Sequence, residues 1–115
     1  MTSEDSTSST IIADKYRGNY QAVKFAKGGK NYTSRISSDS VAYGLLGADD
    51  GELRDVLEEN GAIGQIEGKT YPNQGMFRMA AGAILRGKLR RGESIKIKGK
   101  IVKTLDQQVK SPFID

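Results

Sequence analysis

The chain has no cysteine, no histidine, no tryptophan and only two prolines in 115 residues. Without cysteine there is no disulfide and no thiolate chemistry. Without histidine as well, Cys/His zinc sites, histidine-based triads and the usual protein ligands of haem are excluded. Catalysis would fall to Asp, Glu, Lys, Tyr, Ser or Arg, and no nucleophile–base pair stands out among them. The expectation is a protein that is not an enzyme and needs no cofactor or metal. No apolar run approaches the ~18 residues of a membrane span, so no membrane partner is expected. The first ten residues lack the basic and apolar regions of a secretory signal. That points to the cytoplasm or the inside of a viral particle rather than to secretion.

The length fits one domain with a core of its own. Hydrophobic residues make up 37% and charged residues 28%, an ordinary soluble balance. The formal net charge of +4 hides an asymmetry. Residues 1–60 hold seven Lys and Arg against ten Asp and Glu, a balance of −3. Residues 61–115 hold eleven against four, a balance of +7, so an anionic partner would meet the second half. Residues 1–10 are Ser/Thr-rich without an apolar anchor and read as a flexible arm. Residues 11–106 read as the globular domain and 107–115 as a polar tail.

Along the chain, residues 19–36 read as a β-hairpin. Val23 and Phe25 share a face on one arm, Tyr32 and Ile36 on the other, and Gly28-Gly29 is the turn. A short helix follows near 39–46, capped by Ser38 or Asp39 and ended by Gly47. A second helix, near 50–59, starts from a capping box of Asp49 and Glu52 and carries Leu53, Val56 and Leu57 on its inner stripe. Its acidic residues have helical spacing, unlike a calcium loop. Residues 62–70 read as a strand broken by glycines. Gly68-Lys69-Thr70 ends like a phosphate-binding loop, but Ile63 stands where that motif needs a small residue.

The stretch from Gln74 to Leu105 joins the densest apolar run to most of the positive charge. Met76 to Arg86 suits a buried helix near 75–86, stopped by Gly87, but also two short strands. Beyond it, Ile95, Ile97 and Ile101 alternate with Lys96, Lys98 and Lys100, as on a strand with one buried face. Lysines at every second position would stand ~6.6 Å apart, close to the phosphate spacing of a nucleic-acid strand. In this half only Tyr71, Phe77 and Phe113 are aromatic, so recognition through the backbone, with little base stacking, is expected.

Pro72-Asn73-Gln74-Gly75-Met76-Phe77-Arg78-Met79 resembles the segment around the second barrel strand of bacterial initiation factor 1. Gly87-Lys88-Leu89-Arg90-Arg91 is similar to the basic motif of that factor and of its archaeal and eukaryotic 1A relatives, and Gly92-Glu93-Ser94-Ile95-Lys96-Ile97 to the turn and strand after it. The likeness covers about residues 72–97. It implies an OB-type barrel that binds ribosomal RNA, with Arg78, Lys88, Arg90 and Arg91 among the contacts.

The fold expected from these readings is α+β, a small, mostly antiparallel sheet covered by two to three helices. The alternative is a compact OB-like barrel with an N-terminal helical extension. The expected function is phosphate-backbone binding of RNA or DNA by Arg78, Lys88, Arg90, Arg91, Lys96, Lys98 and Lys100. The competing expectation is a structural or inhibitory protein, such as a viral particle component, docking on a protein assembly through its arm and basic face, or on further copies of itself.

Overall fold

A computed structural model describes residues 20–115. The expected arm and the start of the expected domain, residues 1–19, lie outside the described residues. The chain folds as an α+β domain. In order it forms β1 (Tyr20–Lys27), β2 (Lys30–Ser37), α1 (Ser40–Leu45), α2 (Asp50–Glu59), a 3-10 turn (Ile63–Gln65), α3 (Gln74–Arg90), β3 (Ile95–Ile97) and β4 (Lys100–Val102). The strands make two separate antiparallel pairs, β1 with β2 and β3 with β4. Among the described residues there is neither the single sheet expected from the sequence nor a closed barrel.

Local signals set the helix starts. The Asp39 side chain accepts from the Ala42 N–H to cap α1. Asp49 and Glu52 form the complete capping box of α2. The Asn73 side chain accepts from the Met76 N–H to cap α3. Each satisfies N–H groups that a helix leaves without intrahelical partners. Helix α3 does not stop at Gly87. It continues through Lys88 and Arg90 and closes at Arg91, with Gly92 at φ +83° just beyond. A glycine inside a helix costs only about 1 kcal/mol, less than the burial of Leu89 returns.

The core joins Leu53, Val56 and Leu57 of α2 to the row Phe77, Ala81, Leu85 and Leu89 of α3, and to Ile95, Ile97 and Val102 of the second hairpin. Spacing of four along α3 makes one ridge, not an apolar surface all round. Met79, on another side of α3, is 68% exposed, so the helix is only half sunk. Residues 62–70 are not a strand. Ile63 and Ile66 stand three apart, the period of the 3-10 turn they form, and Ile66 enters the core. Nor are residues 107–115 a free tail. Phe113 lies in the core, and buried Ser111 donates its hydroxyl to the Leu46 carbonyl at 2.6 Å.

The first hairpin keeps the expected register. Phe25 faces Tyr32 across the ladder, with ring centroids 5.3 Å apart. Its tip is held by the Lys27 ammonium, which donates to the Glu52 carboxylate and to the Gly47 carbonyl at 2.6 Å. Asp115 donates its N–H to the Ala26 carbonyl at 2.8 Å.

Gly44 marks the closest approach of α1 to the second hairpin. A Cβ there would lie 2.5 Å from Cδ1 of fully buried Ile97. Alanine at an open helix position gains about 1 kcal/mol over glycine. Here overpacking of about 1–3 kcal/mol outweighs that gain, so Gly44→Ala lowers stability. Combining it with Ile97→Val, which removes Cδ1, gives less loss than the two single changes together. Urea denaturation of the four proteins measures the coupling, and strict additivity would show that α1 and β3 do not meet there.

Candidate nucleic-acid interface

The expected contact residues fall into three groups. Arg78 stands apart from the others. Its half-buried guanidinium donates to the carbonyls of Ala48 and Leu45, the latter at 3.3 Å, and so satisfies the C-terminal end of α1. Burial lowers its pKa and nearby Asp50 opposes that shift, but an arginine so placed stays charged at neutral pH. This geometry commits Arg78 to its own fold rather than to an external phosphate.

Lys88 and Arg91 share one carboxylate. Lys88 reaches Glu93 at 3.1 Å and Arg91 reaches its other oxygen at 3.0 Å. The Arg91 hydrogen bond first, and that of Lys88 second, hold Glu93 below the usual carboxylate range. The stabilisation this gives is present above the ordinary carboxylate pKa and is lost as pH falls through the lowered one. Glu93 is fully exposed to solvent screening, so the triad leaves both cations partly neutralised in place.

Arg90, Lys96, Lys98 and Lys100 form the third group. All four are exposed, and none has a salt-bridge partner among the described residues. The three lysines do not lie along one strand as the sequence suggests. Lys98 and Gly99 are the turn between β3 and β4, at φ +49° and +84°. The turn resets the alternation. Val102 goes inward opposite Ile95, while Ile101 goes outward opposite Lys96 and is 51% exposed. The three lysines therefore surround a hairpin tip instead of lining a flat ledge, while Arg90 borders a groove beside β2.

The end of α2 makes this tip rigid. The Asn60 side chain accepts from the Lys96 N–H at 2.8 Å and donates to the Lys96 carbonyl at 2.7 Å, doing the work of a neighbouring strand. Glu59 accepts from the N–H groups of Lys98 and Gly99 at 2.9 and 2.8 Å. The Lys98 ammonium sits 5.6 Å from the centroid of the Phe113 ring, a cation–π distance. The acidic end of α2 thus meets the basic hairpin of its own chain.

Two arginines not singled out from the sequence belong to a second basic region. Arg35 of β2 and Arg86 of α3 border a groove that also includes Arg90. Arg86 reaches Asp39 at 2.8 Å across Gly82, where a Cβ would lie 2.5 Å from the guanidinium. The spacing of Gly82 and Arg86, four apart on a helix, was the available signal. Among the described residues no group of His, Cys, Asp or Glu could hold a metal ion, and no helix is long and apolar enough to cross a membrane.

Arg78→Met tests the internal role. It leaves the Ala48 carbonyl without its donor, while the Leu45 carbonyl keeps the Ala48 N–H, so urea denaturation should show a loss of about 1–3 kcal/mol. An unchanged midpoint would mean that Arg78 is not needed by the fold and is available to a partner. Comparison of the chain with known protein families, with curated proteins and with solved structures finds no match to any of them.

Proposed function

We propose that this protein is a non-enzymatic binding protein that holds the phosphate backbone of nucleic acid through the tip of the β3–β4 hairpin and the end of α3. The contact set is Arg90, Lys96, Lys98 and Lys100, with Lys88 and Arg91 as the partly neutralised flank. Three lysines on a braced hairpin, without a salt-bridge partner among the described residues, suit a polyanion, because the brace holds them together against their mutual repulsion. Recognition of this kind releases counterions and depends little on base sequence.

The observation that carries the reading is the backbone at Lys98. It is the only non-glycine residue with positive φ among those described. Two successive residues of positive φ are what a two-residue turn of this hand demands, and Asn or Gly meets that demand with less strain. A lysine there costs about 1 kcal/mol. A cation at the most projecting point of the hairpin, in a conformation unsuited to it, supports a use for the charge itself. Outliers of this sort gather at functional sites.

Fluorescence anisotropy with short RNA and DNA, single- and double-stranded, tests the reading. For four phosphate contacts, the slope of log affinity against log salt is expected to be about −3 to −4. Lys98→Asn should bind more weakly with a slope smaller by about one, and should unfold at a higher urea concentration than the parent. Absence of binding at about 50 mM salt, where such contacts are strongest, rejects the proposal. Preference for RNA would agree with the resemblance to the initiation-factor family.

A further inference from the structure

A groove of about 590 Å³ runs between β2 and the half-sunk side of α3. On the β2 side it is lined by the consecutive residues Ser34, Arg35, Ile36 and Ser37. Successive side chains of a strand point to opposite faces, so a run of four marks the strand's edge, not a face. The register says which backbone groups point outward there. Lys27 pairs with Lys30 around the two-residue turn, so ladder hydrogen bonds fall at alternate pairs from that one onward. The Ala26 carbonyl accordingly points outward, where Asp115 binds it. On β2 the same alternation turns the N–H and C=O groups of Thr33, Arg35 and Ser37 outward, and none of them has a partner among the described residues. At the second hairpin the equivalent residue, Lys96, has both groups taken by Asn60.

The far wall of the groove, on α3, sets an apolar patch among arginines. Met79 and Ala83 of α3 are exposed on it beside Gly82. Arg35 and Arg90 stand at the rim without a salt-bridge partner among the described residues, and Asp39 answers Arg86 alone. An unpaired strand edge, an apolar patch and a surplus of arginine define the occupant. We infer that this groove takes an extended segment of a partner protein, rich in acidic residues alternating with apolar ones, which adds to β2 as a third strand. Main-chain hydrogen bonds to Thr33, Arg35 and Ser37 supply the pairing. Apolar side chains of the segment cover Met79 and Ala83, and its carboxylates meet Arg35 and Arg90. Over residues 1–19 Glu4, Asp5 and Asp14 stand against Lys15 and Arg17, a near-even balance rather than an acidic one.

The test uses the full chain and two short labelled synthetic peptides, one alternating Glu with Val and one alternating Lys with Val. The Glu–Val peptide should bind, should slow hydrogen exchange at the amides of Thr33, Arg35 and Ser37, and should be weakened about tenfold or more by Met79→Glu. Met79 is exposed, so that change leaves the core intact; Arg35→Glu serves as the second variant. Equal binding of the Lys–Val peptide, or no binding of either, overturns the inference. So does protection of those three amides in the free chain, which would show the edge already filled by residues 1–19 or by a second copy. Protection of the same amides by a short oligonucleotide would make the groove part of the nucleic-acid surface and overturn it too.

Discussion

The junction at Asp39 and Ser40 holds the parts of this molecule together. Asp39 caps α1 with one carboxylate oxygen and receives Arg86 of α3 on the other. Fully buried Ser40 donates its hydroxyl to the Thr104 carbonyl at 2.7 Å and its N–H to the Leu105 carbonyl at 2.9 Å. Two adjacent residues thereby tie the exit of the first hairpin, the start of α1, the middle of α3 and the chain beyond β4. A buried hydroxyl without a partner is costly, so the satisfied pair sets where the late segment must lie. The positions of Leu105, Ser111 and Phe113 follow from it.

What could be read from the sequence was mostly local. The three helix caps rest on one side chain and a backbone group three residues away, so Asp39, Asp49 and Asn73 announce themselves. The first hairpin is legible for the same reason, its glycine pair standing between two alternating arms. Where the outcome depends on distant packing, the sequence misleads. Gly87 has the look of a stop, but Leu89 is drawn into the core and carries the helix across it. The run Ile95 to Ile101 keeps its period of two on both sides of Gly99, so Lys98-Gly99 does not look like a turn. Gly99 was the one hint.

The basic residues show the same limit more sharply. Charge is visible in a sequence, but its neutralisation is not. Arg78, Lys88 and Arg91 read alike with Arg90 and Lys96, yet the first serves the carbonyls of Leu45 and Ala48 and the next two share Glu93. Arg35 and Arg86 were overlooked because their meeting across a groove depends on how a hairpin lies against a helix. The density of positive charge is therefore legible in the sequence, but which of those cations the fold engages is not.

The first hairpin touches the rest mainly at its two ends, through Lys27 and Asp115 at the tip and through Ser37 to Asp39 at the exit. Its ladder closes over short loops, which takes about 1–10 µs for a hairpin, whereas its anchors wait for residues far along the chain. An element so attached would open as a unit of its own, leaving α2, α3 and the second hairpin assembled. The lysine tip lies on the core side of that division, and the β2 groove spans it. Resistance of the molecule to proteases would accordingly show two levels of stability, with the arms of the first hairpin cut from the weaker one.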